Sequence, residues 1–241
     1  MSGHNKWSKI KNKKGAEDIR KGKIFTKLGR NITVAVREGG KDPEYNPSLK
    51  AAIDKAKAEN MPNDNIERAI KKGSGELDGQ SFESLTYEGY GPGGIAIIVK
   101  SLTDNRNRTA GEMRHLFEKN GGNLGQDGSV SFMFDRLGVI VLDKEKYPDE
   151  EEITMDIFES GADDYSTDDE DVIIIYSQAE DFNSVRNYFV KKNYEFLQAE
   201  LEYVPKTTQS VDEEDRELLE RLMDSLEDNE DVQDVYSNVE E

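Results

Sequence analysis

Residues 139–204 read VIVLDKEKYPDEEEITMDIFESGADDYSTDDEDVIIIYSQAEDFNSVRNYFVKKNYEFLQAELEYV. Val139–Leu142 predicts a strand, and Glu151–Ser160 predicts a helix with Ile153, Ile157 and Phe158 turned inward. Val172–Tyr176 is rich in β-branched residues and predicts a strand, with a short hairpin partner near Asp164–Thr167. Phe182–Lys192 follows as a helix with Phe182, Val185 and Phe189 on one face, and Leu197–Val204 as a last strand. The order is β-α-β-β-α-β, that of a ferredoxin-like sandwich.

The flanking segments complete a second unit. Phe82–Tyr87 and Ile95–Lys100 predict strands joined by Gly89-Tyr90-Gly91-Pro92-Gly93-Gly94. A helix carries Met113, Leu116 and Phe117 and stops at Gly121-Gly122, and Ser129–Phe134 alternates as a further strand through Val130, Phe132 and Phe134. That is β-β-α-β, short of one α-β. Residues 210–239 supply it. Ser210-Val211-Asp212-Glu213 has capping-box spacing, Leu219, Leu222, Met223 and Leu226 form a stripe, and Val232–Tyr236 predicts a strand. The expectation is a discontinuous α/β domain, 77–134 with 206–241, holding the ferredoxin-like block 135–205 as an insert.

Upstream, Ile24, Leu28, Ile32 and Val36 give a helix over Lys23–Glu38, stopped by Gly39-Gly40. Asn46-Pro47 reads as an N-cap followed by proline at the first helical position, leading a helix with Leu49, Ala52, Ile53 and Ala56 inward. Past Met61-Pro62 a third helix carries Ile66, Ala69 and Ile70 to Gly73. Short connections make 23–76 a small bundle. Residues 1–22 lack an apolar period and are expected to be a mobile basic arm. The whole is an α+β chain: three helices, then two α/β sandwiches, the third domain inserted in the second.

Charge is distributed unevenly over the 241 residues. The net charge is −19, yet residues 1–75 hold 18 Lys and Arg against 9 Asp and Glu, while the remainder holds 14 against 42. Exposed charges screen one another beyond about 8 Å at physiological salt, so a basic end acts locally on an anionic molecule. Such asymmetry points to nucleic acid, or to a solvated tail. There is no cysteine, which excludes disulfides, thiolate metal sites and thiol nucleophiles and fits a reducing, cytoplasmic compartment. No apolar run approaches the ~20 residues of a membrane span.

Several motifs fail on chemistry. Gly89, Gly91 and Gly94 match G-x-G-x-x-G, but a strand follows where a dinucleotide site needs a helix N-terminus. A glycine-rich hairpin accounts for them. No P-loop or nucleophile elbow is present, and the two histidines, His4 and His115, lie far apart in sequence. The acidic runs Asp163-Asp164 and Asp168–Asp171 lack EF-hand spacing and read as solvated turns. The sequence therefore predicts no enzyme, cofactor, metal or small-molecule substrate.

Two stretches survive as nucleic-acid candidates. Trp7, the only tryptophan, sits among Lys6, Lys9, Lys11, Lys13 and Lys14, and Arg20, Lys21, Lys23, Lys27 and Arg30 continue the basic run. An indole among lysines suits base stacking with phosphate contact, or else it tacks the arm onto a neighbouring domain. In Asp104–Thr109, Arg106 and Arg108 lie near the positive end of a helix, which favours phosphate, or they pair with Asp104 and fix the turn.

Taken together, these stretches resemble the YebC/PmpR family, whose mitochondrial relatives include the translational activator of cytochrome c oxidase. The resemblance rests on Gly3-His4-x-Lys6-Trp7, Lys23–Lys27, Asp42-Pro43, Asn46-Pro47, Tyr87–Gly94, Asp104–Thr109, Gly121–Gly125 and Asp127–Val130. Asn5 stands where serine is common, and beyond residue 135 the match is one of layout. The resemblance implies three domains and a regulator of gene expression without catalytic residues. It implies either a DNA-binding transcriptional regulator or a ribosome-associated factor that helps translation through sequences such as proline runs. The expected partners are accordingly DNA or ribosomal RNA and the ribosome, met through the basic arm, with no membrane partner.

Overall fold

The computed structural model describes residues 18–77 and 81–240. The arm residues Lys6, Trp7, Lys9, Lys11, Lys13 and Lys14 lie outside them. The fold is α+β, with helices α1 (Asp18–Gly39), α2 (Pro47–Ala58), α3 (Asn63–Gly73), α4 (Arg106–Lys119), α5 (Glu150–Ser160), α6 (Phe182–Lys191) and α7 (Glu213–Glu227). The strands are β1 (Glu83–Tyr90), β2 (Ala96–Thr103), β3 (Asn123–Leu124), β4 (Phe134–Asp143), β5 (Asp164–Ser166), β6 (Val172–Gln178), β7 (Gln198–Pro205) and β8 (Val232–Ser237). They form two four-stranded sheets, ordered β3-β1-β2-β8 and β5-β6-β4-β7. The chain divides into two compact units, one built on 16–129 with 212–235, the other on 130–211 with the C-terminal residues from 236.

The first unit holds the three helices and the first sheet. α1 packs on α2 and α3 through Leu28, Ile32, Val36, Leu49, Ile53, Ala56, Ile66 and Ala69, the periodic positions read from sequence. Asn46 caps α2 by accepting from Leu49 N at 3.0 Å, and its amide donates to the carbonyls of Ala35 and Gly40, closing the α1–α2 turn. α1 begins at Asp18 instead of Lys23, so five residues assigned to the arm are helical. β1 and β2 form an antiparallel hairpin from Glu83↔Thr103 to Tyr90↔Ala96. α4 carries the chain from β2 to β3 beside β1, and α7 leads to β8 beside β2. The segment that builds the second sheet is thus inserted, in sequence, between β3 and α7.

The glycine motif belongs to this hairpin. Gly93 and Gly94 have φ of 66° and 75°, which the turn needs, and Gly91 N donates to Ile95 O at 2.7 Å. At Gly89 a Cβ would stand 2.6 Å from Asn123 O and 2.8 Å from Phe117 Cε1. The backbone of β3 and the α4 ring come so close that no side chain fits. Gly89→Ala should therefore destabilise the chain by about 1–3 kcal/mol, measured by urea unfolding. An unfolding midpoint equal to that of the wild type would show that β3 moves aside freely.

In the second unit the strand order is that of a ferredoxin-like sandwich, with β4 antiparallel to both β6 and β7, and β5 antiparallel to β6. One face buries Ile140, Leu142, Ile173 and Ile175 against Ile153 and Ile157 of α5 and Phe182, Val185 and Phe189 of α6. Asp156, buried on α5, accepts from Lys192 Nζ (2.7 Å), Tyr194 OH (2.9 Å) and Tyr188 OH (3.2 Å). Burial would raise this carboxyl's pKa, but those hydrogen bonds outweigh it and hold the pKa low.

Three local expectations are corrected. Ser129–Phe134 is not a strand: a 3-10 turn spans Ser131–Met133, Val130 and Phe134 are buried, and Phe132 is exposed. The turn puts the two buried residues four apart, and β4 then runs on from Phe134 unbroken, leaving the two-residue β3 as the partner of β1. Phe158 points outward, the inward place beside Ile157 being taken by Asp156. The cap of α7 is Asp212, accepting from Asp215 N at 2.9 Å, and that of α4 is Asn105, accepting from Arg108 N at 3.1 Å. The capping-box spacing at Ser210 therefore marks no helix start, and α4 starts from Asn105, ahead of Arg106 and Arg108.

Candidate nucleic-acid interface

Three bases of α1 meet an acidic turn of the same unit. Lys23, Lys27 and Arg30 lie one turn apart or nearly so, on the flank that meets the α7–β8 turn of the same unit. Lys27 Nζ donates to Glu227 O at 2.6 Å, and Lys23 Nζ stands 3.5 Å from Asp228 Oδ1. Burial is the largest influence on Lys27 and lowers its pKa, although Glu227, Asp234 and Asp228 pull the other way. Arg30 goes deepest. Its Nη1 donates to Asp231 Oδ1 (2.7 Å) and Glu230 O (2.8 Å), and the guanidinium stacks 5.4 Å from the Phe82 ring centroid.

Asp231 collects the network. Its side chain is 3% exposed, and Arg108 Nη2 reaches its other oxygen at 2.7 Å. Thr109 Oγ1 lies 2.7 Å and Thr103 Oγ1 3.2 Å from that same Oδ2. Arg108 also pairs with Asp104 at 3.0 Å. Burial alone would raise the Asp231 pKa, but hydrogen bonds from Arg108, Thr109 and Arg30 more than offset it and hold the carboxyl below its ordinary range. Asn229 supports the turn by donating to Glu112 (2.8 Å) and accepting from Asp231 N (2.9 Å). A cleft of about 500 Å³ lies over this cluster, lined by Lys23, Arg30, Asp104, Arg108, Glu112 and residues 228–231.

The sequence-derived candidates thus separate. Lys23, Lys27, Arg30 and Arg108 are engaged by the protein's own acidic turn; for Arg108 the internal pair with Asp104 is the arrangement present. Arg106 is exposed in the first turn of α4 and makes no ion pair among the described residues. Arg20 and Lys21 lie on α1. Further exposed bases stand on the bundle: Arg37 on α1, Lys50 and Lys57 on α2, Arg68, Lys71 and Lys72 on α3, none in an ion pair among the described residues. Lys57 in the last turn of α2 and Lys71 and Lys72 in that of α3 also complement the helix dipoles. Asp231 was missed by sequence reasoning, because it is one acid among many in 224–231 and only the fold buries it.

Two family models match. One described as the TACO1/YebC protein N-terminal domain covers residues 5–76, and one described as the TACO1/YebC second and third domain covers 82–239. A "Probable transcriptional regulatory protein" of Finegoldia magna is 58% identical over 99% of this chain and 98% of its own length. One of Caldicellulosiruptor saccharolyticus is 53% identical over 100% and 99%. The crystal structure of a conserved hypothetical protein from Aquifex aeolicus aligns with a TM-score of 0.84 and 46% identity over 92% of this chain and 91% of that one. With both models matched and such identity along nearly the full length, the chain belongs to the TACO1/YebC family.

Proposed function

We propose that this chain is a nucleic-acid-binding regulator of gene expression, acting as a DNA-binding transcriptional regulator. The observation that carries the reading is the name "Probable transcriptional regulatory protein", borne by relatives that are 58% and 53% identical over nearly their whole length. The charge pattern agrees with it. Positive charge gathers toward the N-terminus, and on the bundle Lys50, Lys57, Arg68, Lys71 and Lys72 stand exposed outside any ion pair among the described residues.

In this reading the arm, with Lys6, Trp7, Lys9, Lys11, Lys13 and Lys14, grips the polyphosphate, and Arg20, Lys21 and Arg106 extend the contact. Lys23, Lys27, Arg30 and Arg108 act indirectly, holding α1 to the turn before β8. Short lysine contacts to phosphate fix position without reading bases, so sequence discrimination is modest. No residue is assigned a catalytic role, and no helix among the described residues is long and apolar enough to cross a membrane.

Cross-linking in cells, followed by sequencing of bound DNA and RNA, tests the proposal. Enrichment of promoter DNA is expected. Reads confined to large-subunit ribosomal RNA would overturn the transcriptional assignment in favour of a ribosome-bound translation factor. Enrichment of neither would remove nucleic acid from the account.

A further inference from the structure

α5 already buries Ile153 and Ile157 beneath it, yet it carries two large apolar side chains on its outside: Met155 is 61% exposed and Phe158 69%. Three residues apart on a helix, they are surface neighbours. The Phe158 ring meets Tyr165 of β5 edge-on at 6.2 Å, which extends the apolar strip from the helix to the outermost strand of the sheet. Glu151 and Glu152 on the same helix, Asp163 just before β5 and Asp164 at its start are exposed, and none has an ion-pair partner among the described residues. Apolar side chains grouped inside a polar rim mark a contact surface more often than scattered ones do.

We infer that this rim of the second unit docks a basic polypeptide segment carrying bulky apolar side chains. Charge selects that occupant. Polynucleotide is repelled by unpaired carboxylates. A second copy of this chain on a two-fold axis would set the same acidic rim against itself. A lysine- or arginine-rich segment neutralises the rim while its apolar side chains cover Met155 and Phe158. This surface is argued independently of the nucleic-acid reading, since none of the bases which that reading draws from the described residues lies in this unit.

The test uses the full chain and a labelled synthetic helical peptide of leucine and lysine, followed by fluorescence anisotropy. M155S/F158S leaves the charge unchanged and alters only exposed side chains, so its melting temperature should match the wild type. It should weaken peptide binding at least tenfold. E151K/E152K, which keeps the apolar strip, should weaken it to a similar extent. E213Q/E214Q on α7 should change it less than twofold, and a leucine–glutamate peptide should not bind. Loss under twofold in M155S/F158S, or equal loss in the α7 variant, would reduce the binding to general charge attraction and overturn the inference. So would a dimer in sedimentation that F158S dissociates, which would put a second copy on the strip. Tighter peptide binding by a chain lacking residues 1–17 would make the chain's own lysine-rich arm the occupant and equally overturn it.

Discussion

Replacing Asp231 with alanine is expected to cost about 3–5 kcal/mol of folding stability, the range for breaking a buried charge pair by removing one partner. The arrangement explains why the effect should be at the upper end for a single substitution. One carboxylate, 3% exposed, takes Arg30 on one oxygen and Arg108 on the other at 2.7 Å each, with two threonine hydroxyls beside them. Removing it leaves Arg30, itself only 14% exposed, without its anion and frees the flank of α1 from the turn before β8. Asp231→Asn preserves the shape and some hydrogen bonds but not the charge, and should fall between wild type and alanine. The pH dependence has a definite sign. The folded carboxyl titrates below its ordinary value, so its contribution is complete above the unfolded pKa of ~3.9 and is lost as pH falls through the lower folded value. The difference between wild type and Asp231→Ala in urea unfolding should therefore be flat from pH 7 to about pH 5 and shrink in stronger acid. Coincident unfolding curves at pH 7, or a difference that grows on acidification, would mean that Asp231 is not the hub of this junction.

The parts of the fold legible in sequence are those with a long period or a strong punctuation. Ile32, Val36, Leu49, Ile53 and Ile66 fall on helical spacing and form the bundle core; the β-branched run in Val172–Tyr176 reads as a strand, and the fold buries Val172–Ile175 on both faces. Asn46-Pro47 announces a helix start because side chain and ring each answer a specific backbone need. Short-period signals fared worse. Val130, Phe132 and Phe134 alternate as in a strand, but a single 3-10 turn keeps two of them buried and turns the third out. Phe158 was assigned to the core by hydrophobicity alone, while Asp156 takes the interior by collecting three donors, a tertiary fact without a sequence mark. The candidate site shows the same limit. Charge asymmetry is visible in the sequence, but which lysines and arginines are left for a partner depends on where the acidic turn 227–231 lands. That turn lies near the opposite end of the chain from the α1 bases it engages, and nothing local encodes the encounter.

This division of the bases sharpens what removal of the arm should do. Because α1 begins at Asp18, a chain starting at that residue keeps the whole of α1 and its contacts to Glu227 and Asp231. Its urea unfolding midpoint should equal that of the full chain. Its affinity for duplex DNA should nevertheless drop at least tenfold near physiological salt. The loss should be electrostatic in form: with Lys6, Lys9, Lys11, Lys13 and Lys14 gone, up to five phosphate contacts vanish, and the slope of log K against log salt should become shallower by about 4. Trp7→Ala separates the other contribution. Stacking of an aromatic ring on a base is worth ~1–3 kcal/mol and releases no counterions, so this variant should weaken single-strand binding while leaving the salt slope intact. An unchanged slope after deletion would move the phosphate contacts onto the exposed bases of α2 and α3, Lys50, Lys57, Arg68, Lys71 and Lys72, and if the affinity were unchanged as well the arm would have no part in binding.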